Sequence, residues 1–202
     1  MSTQRGTFRQ YWVAVRILAV FTLVLGVLYP IVVTGVAQVA FAGPANGSLV
    51  TVDGATVGSG LLGQSFADAD GAPLPQWFQS RPSAADYNGQ GSSGSNLGPE
   101  SADLVAAIEE RRAAVAALED VDPASVPADA LTASGSGLDP AISPEYARLQ
   151  VPRVAAERGL DESDVADLVE SKIQGGDLGY LSEPTVNVLE LNVALADLDA
   201  ND

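Results

Sequence analysis

The chain has 202 residues, enough for one domain of ordinary size and an additional segment. Its formal charge of −16 is unevenly spread: residues 1–42 carry Arg5, Arg9 and Arg16 and no acid, which leaves residues 43–202 at −19. So acidic a segment repels phosphate backbones and argues against nucleic acid as a partner. The absence of cysteine and histidine removes disulfides, thiolate nucleophiles, the commonest metal ligand and Ser-His-Asp chemistry.

The 26 residues from Ile17 to Ala42 contain no charged side chain. As a helix rising about 1.5 Å per residue they exceed the roughly 30 Å of a hydrocarbon core, so a transmembrane helix is expected over 17–42. Ala40-Phe41-Ala42 has the small residues of a signal-peptidase site, but secretion signals carry apolar regions of only about 7–15 residues. The arginines precede the span, and no Lys or Arg follows it until Arg81. By the positive-inside rule residues 1–16 are expected in the cytoplasm and residues 43–202 outside, with Tyr11 and Trp12 suited to the inner interface. Tyr29-Pro30 interrupts the helical hydrogen-bond ladder, while Gly26, Thr34 and Gly35 are small enough to admit a neighbouring helix. Gly26, Val27, Tyr29, Pro30, Thr34 and Gly35 are therefore candidate contacts with partner helices.

After the span, Ser48–Val52 and Ala55–Val57 flank Asp53-Gly54, a tight-turn pair, and predict a hairpin. Residues 66–99 are rich in Gly, Pro, Ser, Asn and Asp; Trp77, Phe78, Tyr87 and Leu97 mark them as a docking loop. Leu104, Ile108, Val115 and Leu118 share one face of a helix that Pro99, Glu100 and Asp103 begin. A second loop runs from Leu131 to Pro140. Ser143-Pro144 then caps a helix reaching Arg158, kinked at Pro152 and stopped by Gly159. Asp161 and Asp164 open another, with Val165, Leu168, Val169 and Ile173 on its face. Thr185–Leu191 alternates as a strand. The expected class is α+β: one N-terminal transmembrane helix followed by a small extracytoplasmic α+β domain.

Several motif matches carry little. Gly89-Gln90-Gly91-Ser92-Ser93-Gly94 fits a dinucleotide fingerprint by letter, but no strand precedes it and no helix begins before Pro99. Thr56-Val57-Gly58-Ser59-Gly60 has the letters of a potassium filter without a pore helix and reads as hairpin. No Walker or aspartyl-phosphate sequence occurs. The adjacent acids Glu109-Glu110, Glu119-Asp120 and Asp161-Glu162 splay apart and read as solvated faces. Arg81 reads as a staple to backbone carbonyls ahead of a ligand contact.

The loop sequences are more specific. Arg81-Pro82-Ser83-Ala84, Tyr87-Asn88, Ser93–Pro99, Thr132–Pro140, Gln150–Ala155 and Val186–Asn192, together with Tyr29-Pro30, Thr34-Gly35 and Gly60–Gln64, stand in a characteristic order and spacing. On these segments the sequence resembles the C subunit of the Kdp potassium-transporting P-type ATPase over nearly its whole length. The resemblance implies a non-catalytic subunit that assembles and stabilises the complex and raises the ATP affinity of the catalytic subunit. With the domain outside, that effect would pass indirectly through the span. Implied partners are a channel-like potassium-binding subunit, an ATP-hydrolysing P-type subunit, a small single-helix subunit and membrane lipid. ATP and K+ would be used by the complex, with no cofactor, metal or catalytic residue assigned to this chain. Arg81, Asn88, Ser95, Asn96, Ser134, Ser136 and Asp139 are the candidate loop and subunit contacts. Ala141 departs from the family, which often has a polar residue there, commonly His; it is given no role. A membrane-anchored extracellular binding module is the alternative.

Overall fold

The charge-free stretch from Ile17 to Ala42 has little to interrupt a helix except Tyr29-Pro30, and that is where the helix changes. In the computed structural model, which describes residues 3–176, 179 and 181–199, α1 (Thr3–Leu23) passes through a π-helical turn (Val24–Leu28) into α2 (Tyr29–Ala40). The Tyr29 N–H donates to the Val24 carbonyl, five residues back. Pro30 lacks an N–H and its ring crowds the carbonyl four residues earlier, that of Gly26; the wider turn absorbs both defects without breaking the rod. Thr7–Ala40 is long and apolar enough to cross a membrane. The helix ends at Ala40 rather than Ala42, because Phe41 leaves helical geometry (φ −139°, ψ 47°) before the single turn of α3 (Ala42–Ala45). The Asn46 amide donates to the Ala42 carbonyl at 2.7 Å and exchanges hydrogen bonds with Gln38.

The chain divides into two units, residues 1–48 and 49–202. The second begins with the expected hairpin, β1 (Leu49–Val52) and β2 (Ala55–Ser59). Asp53 and Gly54 at the turn have φ of 50° and 79°. Residues 60–101 contain no helix or strand, yet Phe78 is fully buried, and Trp77 lies against Phe66 and beneath the Arg158 guanidinium, 4.1 Å from its ring centre. This loop docks as its aromatics imply, except that Leu97 is exposed and takes no part.

Helix α4 (Ala102–Glu119) half-buries Leu104, Ile108, Val115 and Leu118, as their spacing predicts. After β3 (Ala141–Ile142), the helix expected to reach Arg158 is two: α5 (Pro144–Leu149) and α6 (Val151–Arg158), meeting at Gln150. Pro152 falls in the first turn of α6, where its missing N–H costs nothing. Ser143 caps α5, its hydroxyl accepting from the Tyr146 N–H at 3.0 Å, and Gly159 closes α6 with φ 71°. Helix α7 (Glu162–Lys172) buries Val165 and Val169.

The sheet is small. β4 (Ile173–Gln174) and β3 flank a central β5 (Thr185–Asn187), both antiparallel, with Ile142 and Ile173 opposite Val186. The expected strand over Thr185–Leu191 is corrected here: only three residues are strand, and α8 (Val188–Asp199) follows at once. Asn187 explains the switch, since its side-chain oxygen accepts from the Glu190 N–H at 3.1 Å, an N-cap three residues ahead of Glu. The core joins Phe78, Ile142, Val154, Val165, Val169, Val186, Leu191 and Leu195, all essentially inaccessible.

Candidate functional site

Two loops without regular structure, residues 79–99 and 131–140, pair through side chains and backbone. The Arg81 guanidinium donates to an Asp139 carboxylate oxygen at 2.9 Å and to the Thr132 carbonyl at 3.1 Å. The other Asp139 oxygen accepts from the Ala141 N–H at 3.0 Å. Arg81 is thus the staple its sequence context predicts, with a carboxylate partner as well as a carbonyl. Ser83 donates to the Gly137 carbonyl at 2.7 Å, and its oxygen accepts from the Ala85 and Tyr87 N–H groups. The Tyr87 hydroxyl donates to the Arg81 carbonyl at 2.5 Å. Burial pushes that phenol above its ordinary pKa, and the Asp139 carboxylate adds to the shift.

The approach is close enough to require glycine. A Cβ on Gly63 would lie 2.4 Å from the Asp139 carbonyl oxygen and 2.6 Å from the Tyr87 ring; the Gly63 N–H itself donates to the Leu138 carbonyl at 2.8 Å. Gly137 (φ 66°) stands as near to the Ser93 carbonyl and to Ala85. Asp86 and Tyr87 are held at φ 49° and 55°, successive left-handed positions that a bulky residue adopts only when its surroundings fix it.

The expected loop contacts separate into two kinds. Arg81, Asp139 and Ser134 face inward, Ser134 being buried and accepting from the Gly137 N–H at 2.8 Å. Asn88, Ser95, Asn96 and Ser136 are exposed. The Asn88 oxygen accepts from the Gln90 N–H at 3.0 Å, and the Asn96 amide donates to the Gly94 carbonyl at 3.2 Å. The Ser136 carbonyl accepts from Ser92 and Ser93, at 3.0 and 2.9 Å. The result is a rigid rim of hydroxyls and carbonyls over an internally bonded base. Gly89–Gly94 lies in its turns, with no helix following until α4.

In the first unit Gly26 sits in the π turn, Tyr29 and Pro30 open α2, and Thr34 and Gly35 are exposed along it. A Cβ at Gly35 would meet nothing within 4 Å and one at Gly26 only the Thr22 methyl at 3.9 Å. Neither glycine is needed for packing inside the chain.

Sequence reasoning missed the polar centre of the second unit. Glu119, expected on a solvated face, has an inaccessible side chain paired bidentately with Arg153, at 2.9 and 3.1 Å. It occupies the last turn of α4, where the helix meets α6 rather than solvent. Burial raises the Glu119 pKa although the Arg153 guanidinium pulls it down. Arg153 also donates to the Pro75 and Trp77 carbonyls and to the Gln150 oxygen. Gln150, fully buried, clasps the Gln79 backbone on both sides: its oxygen accepts from the N–H at 2.6 Å and its amide donates to the carbonyl at 3.2 Å. Asn192 does the same to Phe78, at 2.9 and 3.0 Å. The detectable signal was Gln150-x-x-Arg153, two long polar side chains one helical turn apart beside otherwise apolar positions.

The ionisable groups nearest the loops are therefore spent on holding backbone, and no group of three acidic, histidine or cysteine side chains is placed for a metal among the described residues. A scan against protein families matches residues 11–197 to the family described as KdpC, K+-transporting ATPase, c chain. The chain belongs to the KdpC family. Its relatives include a potassium-transporting ATPase KdpC subunit of Kineococcus radiotolerans, 56% identical over 93% of both chains. Those of Caulobacter vibrioides (49% over 88% of both) and Streptomyces avermitilis (45% over 96% of both) carry the same description. The KdpC match takes in the apolar helix, both stapled loops and the Gln150–Arg153 centre.

Proposed function

We propose that this chain is the accessory, assembly-promoting subunit of an ATP-driven potassium uptake complex in the cell membrane, with no active centre of its own. The observation that carries this reading is the KdpC match over residues 11–197, from within the apolar helix into α8. The helix crosses the bilayer with residues 1–16 in the cytoplasm and delivers the acidic domain, residues 43–202, to the outer side. The charge asymmetry across the helix supports that orientation. Of these segments, residues 1, 2, 177, 178, 180 and 200–202 lie outside the described structure.

Gly26, Tyr29, Pro30, Thr34 and Gly35 contact helices of the channel-like and P-type subunits, and the small single-helix subunit completes the assembly. The unfilled space at Gly26 and Gly35 supports this role, since small residues let helices approach. The exposed rim of Asn88, Ser95, Asn96 and Ser136 contacts a partner outside the membrane, over a base fixed by Arg81, Ser134 and Asp139. Any rise in the catalytic subunit's ATP affinity is transmitted through the span, because ATP and the domain lie on opposite sides. A tagged chain solubilised in mild detergent should recover polytopic partners in equal amount. Recovery of the folded chain alone would favour a membrane-anchored binding module.

A further inference from the structure

Asparagine followed by glycine occurs twice in the sequence, at Asn46-Gly47 and Asn88-Gly89. In such a pair the backbone nitrogen of the glycine can attack the side-chain amide carbon of the asparagine, because glycine has no Cβ to obstruct the approach. The fold holds the two pairs in opposite ways.

At Asn46 the groups that would react are occupied. The Gly47 N–H donates to the Pro44 carbonyl at 3.1 Å. The Asn46 amide nitrogen, which would have to leave, donates to the Ala42 carbonyl at 2.7 Å and to the Gln38 side-chain oxygen at 3.0 Å. At Asn88 the same groups are open. Asn88, Gly89 and Gln90 are all exposed, and neither the Gly89 N–H nor the Asn88 amide nitrogen donates to any described residue. The Gly91 N–H donates to the Asn88 backbone carbonyl at 2.9 Å and closes a turn over residues 88–91. Within it the Gln90 N–H donates to the Asn88 side-chain oxygen at 3.0 Å. Negative charge gathers on that oxygen when Cγ is attacked, so the hydrogen bond that shapes the turn also favours the transition state.

We propose that Asn88 is a site of spontaneous deamidation in the unassembled chain. The Gly89 nitrogen bonds to Asn88 Cγ as the Cγ–Nδ2 bond breaks, and the Gly89 proton passes through solvent to the departing ammonia. The product is a cyclic succinimide. Water opens it at either carbonyl, giving aspartate or isoaspartate, with no oxidant or cofactor consumed. The exchange puts a carboxylate on the rim two residues from Asp86, and the isoaspartyl form adds a backbone carbon inside the turn. A partner seated on the rim would shield the residue, so the reaction belongs to chains that have not yet assembled. The chemistry itself does not depend on the role proposed for the rim.

The test ages the purified full chain in mild detergent at mildly alkaline pH and follows both sites by peptide mapping, with isoaspartate resolved from aspartate. A proteolytic digest, in which neither turn persists, is aged in parallel. In the digest the two sites should react alike; in the intact chain Asn88 should keep that rate while Asn46 falls about tenfold behind, a barrier difference of about 1.4 kcal/mol. Gly89→Val crowds the attacking nitrogen with a branched side chain and should slow Asn88 about tenfold in chain and digest alike. A Cβ at this position would meet only a Leu62 methyl at 4.0 Å, so the turn accommodates the variant. An Asn88 that stays intact in the folded chain while the digest reacts, equal rates at Asn46 and Asn88 in the folded chain, or an undiminished rate in Gly89→Val would overturn the proposal.

Discussion

Single side chains decide how this domain holds a long loop that has almost no secondary structure. Glu119 and Arg153 form an ion pair with side-chain exposures of 0% and 7%. Arg153→Ala leaves a buried carboxylate without its counter-charge, and is expected to cost about 3–5 kcal/mol in chemical unfolding of the detergent-solubilised chain. The pair also sets a pH dependence. Folding raises the Glu119 pKa, so the protonated form is favoured in the folded state. That contribution to stability is complete below the unfolded carboxyl's pKa and is lost as pH rises through the folded value. Glu119→Gln should remove this decline from the stability–pH profile of the full chain. The exposed Glu170, its pKa lowered by a hydrogen bond from Arg148, has the opposite sign and stays in both profiles, so the difference isolates Glu119. Gly63 is the other decisive position. Gly63→Ala drives a methyl into the Asp139 carbonyl and the Tyr87 ring, and the expected loss is about 1–3 kcal/mol with the largest amide shifts confined to the two stapled loops.

At the scale of elements, caps and breaks explain what hydrophobic periodicity alone did not. Asn187→Ala removes the cap of α8 and also orphans the Gly60 carbonyl, to which the Asn187 amide donates at 2.8 Å. It should cost about 1–2 kcal/mol, more than Ser143→Ala, whose loss is confined to the start of α5 and its contact with Asp129. The hairpin, α4 and α7 were legible because Asp53-Gly54, the apolar face from Leu104 to Leu118, and Asp161 with Val165 and Val169 are all local signals. The strand expected over Thr185–Leu191 overran because Val186 and Val188 have the same propensity, and only the cap at Asn187 separates strand from helix. The break at Gln150 was invisible for a related reason: Pro152 was legible as a disturbance, but the buried clasp on Gln79 spans 71 residues of chain. Of the candidate site, the inward role of Arg81 could be read from its loop. The placement of Glu119 could not, since a helix-end acid looks the same in sequence whether it meets water or Arg153.

For the whole molecule, the acidity of residues 43–202 has two physical uses, solubility in salt and attraction of cations toward a pore, and the lysine-poor composition favours the first. Asp139 is committed to Arg81 and does not belong with the surface charges. Neutralising Asp70 and Asp86, which leaves the loop staples intact, should not alter the complex's apparent potassium affinity at any ionic strength; a salt-dependent loss would assign the field a part in uptake. The orientation of the chain underlies every partner assignment, and the absence of cysteine makes it directly measurable. A single Glu109→Cys, on the exposed side of α4, should react with a membrane-impermeant maleimide on intact cells and appear labelled in the purified complex. Labelling only after the cells are permeabilised would put the domain in the cytoplasm and contradict the account.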